Sequence, residues 1–166
     1  MRIPYRKPGK YSQIQSDPVL TKEKEVEIKR QMDRLKNTSR PRAAAEVARL
    51  AELGDFSENV EYQLAKGRLR GINNRILILE NQLRQAVIIT PQPQTGTVGL
   101  GHTVTIESDG RERTYQILGA AETNPKQGII SHNSPIGSAL VGRKVGETVR
   151  IKLAKRDVEY KILKIE

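Results

Sequence analysis

Two carboxylates, Asp55 and Glu58, stand three residues apart in the stretch Leu53-Gly54-Asp55-Phe56-Ser57-Glu58-Asn59. At the start of a helix that spacing lets both side chains point the same way. Mg2+ takes oxygen ligands and usually draws only one or two carboxylates from a given protein, so the pair has the make-up of a partial magnesium site. The same spacing is that of a capping box, with Asp55 at the N-cap and Glu58 at N3, worth about 1 kcal/mol to the helix. On spacing alone the cap is the stronger reading. Both can hold at once if the free protein caps its helix and releases the carboxylates on docking.

The flanking segments say how such a pair would be presented. Downstream, Tyr62, Ala65, Leu69, Ile72, Ile76, Leu79, Leu83 and Ala86 follow at alternating steps of three and four, one seam of a coiled-coil helix. That helix is predicted over residues 57–85, about 45 Å long at 1.5 Å per residue. Upstream, Thr21 is a suitable N-cap with Glu23 and Glu25 in the first turn, and Ile28, Met32 and Leu35 carry the same spacing. Asn37-Thr38-Ser39-Arg40-Pro41 predicts a kink or break, because proline lacks a backbone donor and disfavours the α region before it. The pattern resumes through Ala43, Val47 and Leu50 and stops at Gly54, suited to a left-handed C-cap. Ala43, Ala44, Ala45, Ala48 and Ala51 allow close approach near the tip. Two helices joined by so short a turn pack antiparallel, which makes a rod with the carboxylates at its end. The outer face of the second helix carries Lys66, Arg68, Arg70, Arg75 and Arg84, either a solvated flank or a basic strip that lies along RNA or an acidic wall.

The remaining chain is of a different kind. Residues 1–19 are basic, contain prolines and lack periodicity, and are read as a disordered arm. The hairpin occupies residues 20–86. After Ala86 the period falls from 3.6 to 2, with short alternating runs at residues 102–107, 113–118, 128–131, 148–153 and 159–165, separated by Ser108-Asp109-Gly110 and Asn124-Pro125. Residues 135–140 read as a short helix with Ser134 as N-cap and Pro135 in its first turn. Residues 87–166 thus predict an α+β unit, a small antiparallel sheet with one helix. The chain has 166 residues, a formal charge of +10 and no cysteine, which favours an acidic or polyanionic partner and excludes disulfides and thiolate metal sites. No apolar run approaches a membrane span, so the expectation is a cytoplasmic monomer that contacts no membrane. His102 and His132 lack the neighbours of a zinc site.

The run from Gly54 to Tyr62 matches the pattern G-D-x-x-E-N-[AV]-[DE]-Y and so resembles the loop signature of the bacterial GreA and GreB transcript-cleavage factors. The likeness continues through Arg40-Pro41, Lys66 to Leu79, Ile130-Ser131-His132-Asn133-Ser134-Pro135-Ile136, Ala139-Leu140, Gly142 and Val145-Gly146-Glu147. The resemblance covers about residues 20–166. It implies an antiparallel coiled coil followed by an FKBP-like domain that docks on RNA polymerase near its secondary channel, with the tip reaching the active centre. It further implies that Asp55 and Glu58 help hold a second Mg2+ and orient the attacking water, so that the polymerase cleaves backtracked nascent RNA at its 3′ end. Such a factor is not an enzyme by itself, and the free protein needs no cofactor, Mg2+ being shared with the polymerase. By the same resemblance Gly54, Asn59 and Tyr62 support the tip, and Asn133, Ser134 and Pro135 belong to the docking face. With the wider motif, the metal role overtakes the cap.

Three other readings compete. A non-cleaving inhibitor that enters the same channel has no need of the acidic pair. A prolyl isomerase needs an aromatic-lined pocket, and residues 87–166 supply only Tyr115 and Tyr160. A general DNA- or RNA-binding protein is motivated by net charge and predicts steeply salt-dependent binding. Asn133 resembles the GreA side, whereas Ser57 and Leu69-Arg70 resemble GreB.

Overall fold

The computed structural model describes residues 17–52, 60–90, 96–152 and 157–166. In chain order these form β1 (Val19–Leu20), α1 (Lys22–Arg34), a π turn (Leu35–Ser39), α2 (Arg40–Ala51), α3 (Val60–Gln85) and β2 (Val87–Ile88). Then come β3 (Thr103–Ser108), β4 (Arg111–Leu118), β5 (Ile129–Ser131), α4 (Pro135–Leu140), β6 (Thr148–Lys152) and β7 (Asp157–Ile165). Two 3-10 turns, Ala120–Glu122 and Pro125–Gln127, lie between β4 and β5.

Thr21 starts α1 as its cap, with Oγ1 accepting the Lys24 N–H at 3.2 Å. That satisfies one of the donors a helix start leaves unpaired. All eight seam residues, from Tyr62 in α3 to Ala86 just past its end, are buried or half-buried. The pairing is antiparallel. At the base, Ile28 of α1 and Leu79 of α3 pack with Leu20, and Met32, Leu35, Leu83, Ala86 and Ile88 close around them. At the other end, Leu50 of α2 and Ala65 of α3 line one cleft. Next to the base cluster, Lys36 pairs with Glu80 at 2.5 Å. Leu79 is 1% exposed; full burial of such a side chain contributes about 1.5–3 kcal/mol.

The interruption foreseen near Pro41 is a π turn that leaves the chain helical on both sides. The Arg40 N–H donates to the Leu35 carbonyl, five residues back. A π turn adds one residue to an α-helix, and the apolar pattern carries that offset. Continuing the steps of Ile28, Met32 and Leu35 would put the seam at residues 42, 46 and 49, whereas the apolar seam residues are Ala43, Val47 and Leu50. Pro41 falls in the first turn of α2, where its missing donor is least costly.

The arm assigned to residues 1–19 is shorter at its inner end. Val19–Leu20 pairs in parallel with Val87–Ile88, the Val87 N–H donates to the Pro18 carbonyl at 2.8 Å, and Leu20 is fully buried. Val87 and Ile88, assigned from sequence to the globular unit, therefore close the base of the hairpin.

The second unit is a five-stranded sheet in the order β5-β4-β3-β7-β6. The antiparallel expectation needs correction, because β4 and β5 run parallel. The two 3-10 turns carry the chain from Leu118 back to the level of Gln116, so that β5 runs alongside the last residues of β4 in the same direction, which a tight hairpin cannot do. The other pairs are antiparallel. Asp109 and Gly110, with φ of 51° and 69°, make the two-residue turn between β3 and β4, and two positive φ values suit a right-twisted hairpin. One sheet face buries Val104, Ile106, Ile117, Val149, Ile151, Val158, Tyr160 and Ile162 beneath Leu140 of α4. Helix α4 starts where the sequence places it, with Ser134 Oγ accepting the Gly137 N–H at 3.0 Å. Gly137 is required there, because a Cβ would stand 2.1 Å from the Ser131 carbonyl oxygen.

Candidate functional site

Gly54, Asp55, Phe56, Ser57, Glu58 and Asn59 lie outside the described residues. Their frame is well defined. Helix α2 ends at Ala51 with Glu52 as its C-cap, and α3 begins at Val60. The 26 residues of α3 separate that end of the hairpin from its base by about 39 Å.

Behind the tip the shaft is highly charged. Tyr62 is half-buried, and Lys66 Nζ lies 5.2 Å from the centre of its ring, within the range of a cation–π contact. Glu46, Arg49, Glu61 and Arg68 ring a cleft of about 290 Å3 between α2 and α3. Arg49 grips Glu46 through Nε at 3.1 Å and Nη2 at 2.9 Å. This contact lowers the Glu46 carboxyl below its ordinary range, with a smaller push from Arg68, and raises the Arg49 guanidinium, with help from Glu61.

The basic row is not one strip. At 3.6 residues per turn, Lys66, Arg70 and Arg84 share one flank of α3, while Arg68 and Arg75 share another on roughly the opposite side. All five are exposed. Arg68 faces the Glu46 cleft, so Lys66 and Arg70, one turn apart, stand together on the flank away from it, with Arg84 farther along toward the base.

Asn133, Ser134 and Pro135 come together at the other end of the molecule, on the turn between β5 and α4. Ser134 Oγ donates to the Ser131 carbonyl at 2.6 Å while it caps α4, and the Asn133 N–H donates to Ser131 Oγ at 3.1 Å. The Asn133 and Pro135 side chains are exposed. Asn133 Nδ2 also reaches Asp17 Oδ2 at 3.5 Å. Asp17, Glu122 and His132, which join this turn to the hairpin base, were not singled out from sequence as partners. Asp17 lies more than 100 residues along the chain from both Glu122 and His132, so spacing held no signal for them.

The family models match both units. Residues 18–88 match "Transcription elongation factor, N-terminal" and residues 92–166 match "Transcription elongation factor, GreA/GreB, C-term". The chain belongs to the GreA/GreB family of transcription elongation factors. It is 37% identical over 148 residues to transcription elongation factor GreA of Bacillus velezensis, covering 88% of this chain and 94% of that protein. It is 39% identical over 149 residues to GreA of Chloroflexus aggregans, covering 88% and 95%. Among solved structures, GreA factor homolog 1 of Thermus thermophilus matches with 29% identity and a TM-score of 0.40, covering 89% of this chain and 97% of that one. Within this GreA/GreB chain the acidic pair falls inside the N-terminal match and the Asn133 turn inside the C-terminal one. Among the described residues no helix is long and apolar enough to cross a membrane.

Proposed function

We propose that this GreA/GreB family member enters the secondary channel of RNA polymerase and stimulates the polymerase's own cleavage of backtracked nascent RNA, without being a nuclease itself. The observation that carries the reading is the acidic pair Asp55 and Glu58, set within the matching motif in the eight residues between Ala51 of α2 and Val60 of α3. Two carboxylates are too few to enclose an ion that prefers six oxygens, which suits a Mg2+ shared with a polymerase rather than a resident one. When bound, that ion makes water nucleophilic and offsets charge developing on the phosphate. Asp55 and Glu58 hold it and orient the water. Gly54 and Asn59 shape the turn, and Tyr62, stacked against Lys66, braces the start of α3.

The Lys66 and Arg70 flank contacts the RNA backbone, with Arg75 on the opposite flank free for the channel wall. Asn133, Ser134 and Pro135 dock on the polymerase. The factor works as a monomer in the cytoplasm. The test is to add the protein to halted, backtracked complexes formed with polymerase of the same organism. The reading predicts 3′-end shortening of the transcript in the complex and no cleavage of free RNA. Slowed elongation without shortening would point instead to a non-cleaving channel regulator, and cleavage of free RNA would contradict the cofactor role.

A further inference from the structure

Among the described residues the hairpin and the sheet share no hydrophobic core. Leu20, Ile28 and Leu79 form one buried cluster, and the residues around Ile106 and Ile162 form another. On one side of the junction the gap between them is an open cleft of about 410 Å3, lined by Val87, Ile88 and Ile89 from the hairpin base and Leu100 and His102 from the sheet unit. The two cores by themselves therefore do not set the direction in which the hairpin leaves.

The junction is fastened by two carboxylates that reach across in opposite directions. Asp17, from the hairpin base, has a side chain only 5% exposed. Its Oδ1 accepts the Val19 N–H at 3.1 Å, and its Oδ2 accepts the Ala120 N–H at 2.8 Å and the Asn133 side-chain amide at 3.5 Å. His132 Nδ1 stands 3.4 Å from the same oxygen. Glu122, from the sheet unit, returns the reach: its Oε2 accepts the Thr21 N–H at 2.8 Å and its Oε1 the Thr21 hydroxyl at 2.5 Å. Thr21 is the cap of α1, so Glu122 holds the residue from which the first helix sets out. Between the two carboxylates Gly119 lets the backbones touch, since a Cβ there would lie 2.0 Å from the Val19 carbonyl oxygen.

We infer that Asp17 and Glu122 are positioning residues, a clasp that fixes the angle of the hairpin and so carries the tip to its place when the Asn133 turn is docked. The functional half of this inference rests on the cleavage reading above; the structural half does not. Asp17 lies one residue before the N-terminal family match.

The full chain contains no cysteine, so spin labels can be placed at Asn73→Cys on α3 and Arg111→Cys on the sheet, both exposed positions. Pulsed dipolar spectroscopy then reads the distance distribution between the units with Asp17 and Glu122 intact and in an Asp17→Ala/Glu122→Ala background. The clasp predicts a narrow distribution that broadens at least twofold in the double variant, with helical circular dichroism retained. It also predicts that cleavage at saturating factor falls at least fivefold, with partial recovery in Asp17→Asn/Glu122→Gln, whose amides keep acceptor oxygens. An unchanged distribution overturns the clasp. A broadened distribution with saturating cleavage unchanged overturns the positioning role. If the unsubstituted factor does not cleave at all, it is the cleavage reading that fails, and the distances alone decide for or against the clasp.

Discussion

Deleting Thr38 should leave the hairpin folded, whereas deleting Asn74 should cripple it. Thr38 is an exposed residue of the π turn. Without it the apolar steps from Leu35 to Ala43 shorten from eight residues to seven, and the first helix acquires an unbroken heptad frame on a regular α-helix. Ile28 and Leu50, 3% and 2% exposed, stay on the seam, so the change in stability should remain within about 1 kcal/mol, as for a surface substitution. Helix α3 has no π turn to absorb a loss. Removing Asn74 rotates Tyr62, Ala65, Leu69 and Ile72 about 100° away from Ile76 and Leu79. Leu69 and Ile72 are half-buried, so each forfeits about half the value of a fully buried side chain; with Tyr62 and Ala65 the total is about 3 kcal/mol. Urea unfolding followed by circular dichroism at 222 nm measures both variants. Equal losses in the two would refute the claim that the π turn exists to reconcile two offset frames.

Three further outcomes follow from single contacts. Ser134→Ala removes the α4 cap and the bond to the Ser131 carbonyl, and should cost about 1 kcal/mol in thermal or urea unfolding of the sheet unit. Gly137→Ala forces a methyl against the Ser131 carbonyl oxygen and should cost about 1–3 kcal/mol, more than Ser134→Ala, on the same measurement. Hydrogen bonds from Lys22 and Lys29 hold the Glu25 carboxyl at about 2 instead of its ordinary 4.5. A lowered folded-state pKa stabilises above the ordinary value and loses that effect as pH falls toward 2. A side-chain NMR titration should therefore place the Glu25 midpoint near 2, and Glu25→Gln should make the acid limb of the stability curve slightly shallower between pH 4.5 and 2, with Glu46 and Glu80 still contributing to it.

The seam of α3 was legible because eight residues obeyed one spacing, and a helix of that length has few other ways to bury them. The start of α4 was equally plain in Ser134 and Pro135, whose chemistry is local. The π turn was half visible. The offset between Leu35 and Ala43 was in the sequence, but Pro41 drew attention as a breaker, although a first-turn proline suits the next α segment. The parallel pairing of β5 left no trace, since three residues have a period but no direction. The basic row divides between flanks because residues off the seam span most of the helix circumference. The tip motif was readable as sequence, and its acidic pair lies outside the described residues.

The most direct test of the tip is RNA cleavage in a backtracked complex, comparing the unsubstituted factor with Asp55→Asn and Glu58→Gln at saturating concentration. The amides retain the acceptor oxygens that cap a helix and remove the charge a metal requires, with binding to the polymerase and circular dichroism followed alongside. The account predicts that both variants fold and bind while cleavage falls by at least tenfold. Undiminished cleavage by the folded, bound variants would contradict it and leave the acidic pair as a helix cap.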